Sequence, residues 1–177
     1  MRKLKIALLL VAVLALCAVG CKKKRQREPV QLSDLPVTLA SMIQAGDPVA
    51  AVQFTKGFYT VENGAWRWTA HAFTVTLHPP RGAAANGARL VLKFALPDAV
   101  FQKVGPIKMM ARVNGLDLAP EEFKAAGDQT YSREVPGTAL GADAVTVDFT
   151  LDKFIAPTPG DLRELGVIVS TVGFEVK

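Results

Sequence analysis

The residues best suited to molecular recognition lie between Gly57 and Thr69. This stretch holds both tryptophans of the chain, Trp66 and Trp68, which are two positions apart and would share one face of a strand. A tryptophan ring presents a large rigid surface with a polar edge, on which a sugar ring or an apolar partner can stack. Two interpretations stay open: an exposed aromatic platform, or rings that fill the space between two sheets.

Polar side chains accompany these rings. Arg67 stands between the tryptophans and would point to the opposite face, with Glu62 and Glu164 as candidate partners. A half-buried arginine–carboxylate pair would fix strand register without any ligand. A glycan site would instead use arginine and carboxylate groups to bind hydroxyls. The candidate ligand-binding set is Tyr59, Glu62, Trp66, Arg67, Trp68 and Arg163.

Groups for catalysis are few. His71 and His78 are the only histidines, and their odd separation would place them on opposite faces of one strand. No nucleophile-elbow, phosphate-loop or dinucleotide-binding motif occurs. We therefore expect no enzymatic activity, no catalytic residue and no cofactor.

Metal ligands are equally sparse, because zinc would need several convergent histidine or carboxylate ligands. Aspartates in the second half leave a loop calcium site open as an alternative, although scattered aspartates are ordinary on strand exteriors. These are Asp143, Asp148, Asp152 and Asp161. We predict no metal site.

The N-terminal residues are typical of an export signal. Arg2, Lys3 and Lys5 precede an apolar run of 14 residues, from Ile6 to Val19. This run is shorter than the ~20 apolar residues that a transmembrane helix needs, and it is typical of a secretory signal peptide.

The end of that run, Ala18-Val19-Gly20-Cys21, resembles the lipobox of bacterial lipoproteins. The resemblance implies a signal peptide at residues 1–20 and a diacylated Cys21 as the mature N-terminus. It also implies membrane attachment and, because Lys22 rather than aspartate follows the cysteine, the outer membrane. Cys17 is the poorer lipidation candidate, because Leu16 is bulky.

The net charge of +5 comes from residues 1–49. Five basic residues lie at positions 22–27, whereas residues 50–177 carry 13 Lys and Arg against 13 Asp and Glu. Each basic residue near an anionic bilayer adds about 1 kcal/mol of attraction. Because residues 50–177 are neutral as a whole, we expect no nucleic-acid partner.

Residues 21–48 are predicted to form a basic tether, in which the stretch from Asp34 to Gly46 is either a short amphipathic helix or a partly ordered stalk. From residue 49 to 177 the pattern is one of short strands and turns, which predicts an all-β, jelly-roll-like antiparallel sandwich. Asn63-Gly64 predicts a hairpin turn, and a one-residue bulge is expected near Ala72. One short helix is predicted at Pro120–Ala126.

Several motifs resemble, in their order, those of carbohydrate-binding-like β-sandwich modules attached to bacterial glycosyltransferases and surface-polysaccharide proteins. They are Gly57-Phe58-Tyr59 with Glu62, Trp66-Arg67-Trp68-Thr69, Val113-Asn114-Gly115 and Asp161-Leu162-Arg163-Glu164-Leu165-Gly166. The resemblance implies glycan recognition at the cell envelope. The alternative is a structural or protein-binding envelope lipoprotein with no sugar site, in which these residues serve the core and the strand register.

Overall fold

The structure, a computed structural model, describes residues 38–177. These residues form one compact unit with its own hydrophobic core, so we expect them to fold without the preceding segment. The predicted signal peptide, Cys21 and the basic segment lie outside the described residues.

Ten strands and two short α-helices make up this unit. The strands are β1 (Met42–Gln44), β2 (Phe54–Glu62), β3 (Trp66–Leu77), β4 (Ala88–Leu96), β5 (Ile107–Val113), β6 (Leu116–Asp117), β7 (Glu121–Phe123), β8 (Gly127–Val135), β9 (Val145–Leu151) and β10 (Ile168–Val176). The helices are α1 (Ala83–Asn86) and α2 (Asp98–Val104), with 3-10 turns at Val49–Gln53 and Gly137–Ala139. Within residues 38–177 no helix has the length and apolarity needed to cross a membrane.

All strand pairs are antiparallel, in the order β6-β5-β9-β3-β10-β4-β8. In addition β1 pairs with β10, β2 with β3, and β7 with β5. The sheet curls on itself, so that the inward-facing side chains of its two halves meet in one core. The prediction of a jelly-roll-like antiparallel sandwich is confirmed.

Period-two alternation explains which side chains fill the core. In β5 every second residue from Ile107 to Val113 is buried and the residues between are exposed. Strand β9 alternates in the same way from Val145 to Leu151. The buried Phe73 and Phe149 rings stack at 5.0 Å between centroids, which ties β3 to β9 through the core.

Strand β3 belongs to both halves of the sheet. Its first residues, Arg67 and Trp68, pair with β10, whereas residues 72–77 pair with β9. Between the pairs Lys56↔Thr74 and Phe58↔Thr69, β3 advances five residues while β2 advances two. The predicted irregularity is therefore at the expected place, near Ala72, but it is larger than the single residue predicted.

Two predicted helices are wrong. Residues 121–123 form the edge strand β7 against β5, because Phe123 is buried edge-on against Phe94 at 4.9 Å between ring centroids. Glu121 lies 2.7 Å from Arg133, an ion pair without good hydrogen-bond geometry. The core contact and the charge pair outweigh the helix signals at this position.

The second wrong helix is the one predicted from Asp34 to Gly46, whose first residues lie outside the described range. Residues 42–44 form β1, which pairs with β10 in the register Gln44↔Thr171. Val49–Gln53 form a 3-10 turn, and the side chain of Gln53 is buried and bonded to Ala40 and Thr76.

We predict that Gly57→Ala destabilises the domain strongly. Gly57 has a φ of +72°, and a Cβ there would overlap the carbonyl oxygen of Ala72. Gly115, with a φ of +86°, has no atom within 4 Å of the corresponding position and is the matched control. Conformational strain alone costs about 1–2 kcal/mol. Denaturant unfolding should therefore give a clearly larger loss for Gly57→Ala than for Gly115→Ala, and equal losses would contradict the close approach of β2 to β3.

Candidate functional site

The two tryptophans lie at the start of β3. Trp66 and Trp68 alternate with Arg67 on β3 and so share a face. Directly opposed residues also share a face, which adds Glu62, the partner of Trp66, and Ile168, the partner of Trp68. The hairpin turn predicted at Asn63-Gly64 connects β2 to β3 and brings Glu62 beside Trp66; both turn residues have positive φ.

From this hairpin the outer face continues across β10, β4 and β8. One row of paired residues runs Trp68, Ile168, Ala95, Asp128. The next row runs Gln44, Thr171, Lys93, Thr130. The face is therefore a sheet surface with aromatic groups at one end and polar groups along the rest.

An open cleft of about 470 Å³ lies on this face, and we call it the Trp66 cleft. Its floor is low, because Ala95 and Ser170 are small. Lys93 and Asp128 are exposed charged groups at its border, and neither makes an ion pair within residues 38–177. The lining residues are Trp66, Lys93, Phe94, Ala95, Asp128, Gln129, Thr130, Ile168 and Ser170.

The tryptophans have different environments. Both are half-buried, but Trp68 packs against the core cluster, whereas Trp66 lines the Trp66 cleft. The two interpretations left open by the sequence thus each apply to one ring: Trp68 contributes to the core, and Trp66 offers a surface.

A charge cluster borders the same hairpin. Arg163 donates to both carboxylate oxygens of Asp161, at 2.8 Å to Oδ2 and 3.0 Å to Oδ1. It also donates to Glu62 Oε1 at 3.0 Å, and its guanidinium lies 5.5 Å from the centre of the Tyr59 ring. Three residues of the predicted set, Tyr59, Glu62 and Arg163, are therefore brought together, but Arg163 is already bonded to Glu62 and lies against the Tyr59 ring.

The neighbouring contacts attach the segment 152–167 to β2 and β3. The Glu164 carboxylate is hydrogen-bonded to His71 Nδ1 at 2.6 Å. The backbone N–H of Glu164 donates to the Tyr59 hydroxyl at 3.0 Å. The His71 ring stacks on Phe154 at 4.7 Å. This segment is thus fixed against the hairpin by polar and aromatic contacts.

The predicted pairing of Arg67 with a carboxylate is wrong. Arg67 donates to two backbone oxygens, Ala45 O at 3.0 Å and Tyr59 O at 3.1 Å, and its guanidinium lies over the Phe54 ring. It therefore points away from the Trp66 face and holds β2 and the end of β1 in register. Its predicted carboxylate partners bind Arg163 and His71 instead.

Hydrogen bonding shifts the acidity of the charge cluster. Bonds from the Arg163 side chain and backbone lower the pKa of Asp161 to about 2, and the bonds from Asp161 and Glu62 raise the pKa of Arg163. The bond with His71 lowers the pKa of Glu164. Asp161, Arg163 and Glu164 are therefore charged at neutral pH.

The four aspartates considered for calcium do not converge. Asp148 accepts from Thr74, Asp152 from the backbone of Lys108, and Asp161 from Arg163. Within residues 38–177 no group of three or more histidine, cysteine or acidic residues is arranged to hold a metal ion.

Eight of the nine lining residues of the Trp66 cleft were not foreseen from the sequence, among them Lys93, Asp128, Thr130 and Ser170. Their outward orientation follows from strand alternation, and that signal was available. Their neighbourhood with Trp66 depends on the strand order β3-β10-β4-β8, which alternation does not reveal.

The sequence matches no protein-family model and no curated protein. Solved structures resemble the domain at low identity. A family 35 carbohydrate-binding module from Clostridium thermocellum aligns with a TM-score of 0.45 and 14% identity, over 76% of this chain and 98% of the module. The carbohydrate-binding module CBM36 in complex with calcium and xylotriose aligns with a TM-score of 0.40 and 8% identity, over 76% and 98%.

A family GH115 4-O-methyl-alpha-glucuronidase with specificity for decorated arabinogalactans aligns with a TM-score of 0.46 and 10% identity. The alignment covers 87% of this chain but 20% of that enzyme. Because their TM-scores are below 0.5, these structural alignments do not identify a ligand that the proteins have in common. The fold assignment rests on the strand pairing, which defines a β-sandwich with an open cleft on one sheet face.

We predict that the charge cluster makes the domain sensitive to acid. Because the folded-state pKa of Asp161, about 2, lies below its ordinary value of 3.8, the unfolded chain binds this proton more tightly. The stabilisation by Asp161 is present above pH 4 and is lost as the pH falls from about 4 to 2. Unfolding of wild type and Asp161→Asn across this range should give curves that converge at low pH.

Asp98→Asn is the control for this measurement, because Asp98 is exposed and makes no ion pair among the described residues. A constant difference between wild type and Asp161→Asn down to pH 2 would contradict the assignment.

Proposed function

We propose that this protein is a non-catalytic lipoprotein of the cell envelope whose β-sandwich binds glycan in the Trp66 cleft. The observation that carries the proposal is the half-buried Trp66 ring at the border of a cleft whose other walls carry hydroxyl, amide, ammonium and carboxylate groups. An indole face takes the apolar face of a sugar ring, and such polar groups bind its hydroxyls.

Small residues support this assignment. Ala95 and Ser170, which line the cleft together with Trp66, have small side chains and leave room for a ring in the cleft. Lys93 and Asp128 are free of ion pairs within the described unit, so binding a hydroxyl would break no existing salt bridge. By contrast, Tyr59, Glu62 and Arg163 are engaged with one another, and we assign them to positioning the hairpin that carries Trp66.

A non-catalytic role agrees with the chemistry of the cleft. Asp128 is the acidic residue among the lining side chains, and no second carboxylate lines the cleft with it. Glycoside hydrolysis generally uses a pair of carboxyl groups on either side of the scissile bond. The proposal is therefore recognition without turnover.

Anchoring is the second part of the proposal. The lipobox-like Ala18-Val19-Gly20-Cys21 supports acylation of Cys21, and the basic residues that follow support contact with anionic headgroups. Lys22 supports the outer membrane as the location. The glycan would then be a component of the envelope or a polysaccharide at the cell surface.

Trp66→Ala should weaken glycan binding about tenfold or more while leaving the fold intact, because a stacked aromatic contact contributes about 1 kcal/mol beyond the area it buries. The measurement is binding of the fragment 28–177 to lipopolysaccharide O-chains, peptidoglycan strands, dextran, xylan and arabinogalactan. Trp68→Ala is the matched variant, and it should cost about 2 kcal/mol of stability, since Trp68 packs against the core.

Absence of binding to every glycan by a folded wild-type fragment would overturn the proposal. A structural or protein-binding role would then take its place, because the hairpin contacts serve the fold equally well without a ligand. Binding that Trp66→Ala leaves unchanged would move the site elsewhere on the domain.

Cys21→Ser should release the protein from membranes into the soluble fraction, because the acyl chains attach to that thiol. Cys17→Ser is the matched control and should stay with the membranes, since we assign Cys17 to the removed signal peptide. The measurement is membrane fractionation together with metabolic labelling by a palmitate analogue. Labelling that persists in Cys21→Ser would contradict the assignment.

A further inference from the structure

The Trp66 cleft does not end at Ser170. A second depression, of about 630 Å³, begins at this residue and extends along the same face, and we call it the Gln44 depression. Its lining residues are Met42, Gln44, Gly46, Asp47, Gly64, Ala65, Ser170 and Thr171. Because Ser170 lines both, the two depressions meet at this residue, and we call the pair the groove.

Their meeting at Ser170 has a structural cause in β10. This strand pairs with β3 at Ile168 and Val169 and with β1 at residues 171–173, so its neighbour changes at Ser170. On its other side β10 pairs with β4. Between the pairs Val169↔Phe94 and Thr171↔Lys93, β10 advances two residues and β4 advances one, so Ser170 is the extra residue of a β-bulge. The exposed Ser170 side chain donates to Lys93 O at 3.2 Å, which holds the bulge flat on the sheet.

The wall of the Gln44 depression is rigidly attached to the hairpin that carries Trp66. Arg67 donates to Ala45 O at 3.0 Å. A Cβ on Gly46 would overlap Gly64 O, so the turn after β1 packs directly on the hairpin tip. The two parts of the groove therefore keep a fixed spacing.

The polar character also continues. Gln44 is exposed, pairs with Thr171 and shares its outward face with Lys93 and Thr130 across the sheet. Met42, 37% exposed, adds an apolar surface beside Gly173. The Gln44 depression thus offers an amide, hydroxyls and an apolar contact, a second set of groups suited to a sugar ring.

We propose that the groove binds the interior of a linear polysaccharide chain, with one part of the chain on Trp66 and the next in the Gln44 depression. This inference rests on the glycan-binding function proposed above and specifies its ligand as an extended chain rather than a single terminal sugar. A site for a terminal sugar would be closed at one end, whereas this groove passes from one depression into the other over Ser170.

The test is the length dependence of binding. The probes are the products of partial acid hydrolysis of whichever panel polysaccharide binds, separated by length from one to six sugars. Calorimetry with the fragment 28–177 should show affinity that continues to rise beyond the disaccharide, because longer chains reach both parts of the groove.

Gln44→Ala should leave the affinity for the shortest fragments unchanged and lower that for the longest by about threefold to tenfold, as expected for the loss of a hydrogen bond. Trp66→Ala should weaken binding at every length. Met110→Ala is the matched control, because the Met110 side chain is exposed, like that of Gln44, but lies on β5, away from this face. Thr171→Ala is the second variant if Gln44→Ala proves unstable by thermal melt.

The outcomes separate the two proposals. Affinity that reaches its maximum with a single sugar or disaccharide, still dependent on Trp66, would overturn the extended groove and keep the glycan site. The extended groove would also be overturned if Gln44→Ala lowered the affinity equally for fragments of every length. The same holds if neither Gln44→Ala nor Thr171→Ala changed the affinity at any length. No binding to any panel polysaccharide would overturn both.

Discussion

The junction between β3 and the segment that leads into β10 is the constraint on which the structure depends. Thr69 is fully buried, and its backbone and hydroxyl together bond to Gly166 and Val167. Gly166 has no room for a side chain, because a Cβ would lie 2.7 Å from Leu151 and 2.9 Å from Ala70 O. These bonds hold β3 where it passes from one half of the sheet to the other, and so they also set the position of the hairpin with Trp66.

The position of the candidate site depends on this junction. The strand that crosses between the halves carries Phe73, Val75 and Leu77 inward at one end and Trp66 outward at the other. The hairpin is then held from both sides, by Arg67 on the inner side and by Arg163 on the outer side. Charged side chains that resembled ligand contacts in the sequence thus act as supports, and less conspicuous neighbours form the cleft.

Local patterns were sufficient for the parts of the fold that local forces decide. Short strands and turns were predicted for residues 49–177, and Asn63-Gly64 marked a turn whose two residues have positive φ. The patterns failed where distant partners decide the outcome. Glu121–Phe123 carries helix signals, but Phe123 is drawn into the core by Phe94. The neighbours of Trp66 were unpredictable for the same reason, since they come from strands far apart in the chain.

The order of the strands has a consequence for biogenesis. β10 lies between β3 and β4 and also receives β1, so the middle of the sheet is built from residues 168–176. A nascent polypeptide that lacks these residues cannot join the pair β4-β8 to the strands around β3, because β10 is the strand that pairs with both β3 and β4. The two halves of the sheet therefore join only after synthesis has reached residues 168–176. High contact order of this kind also makes acquisition of the native state slow.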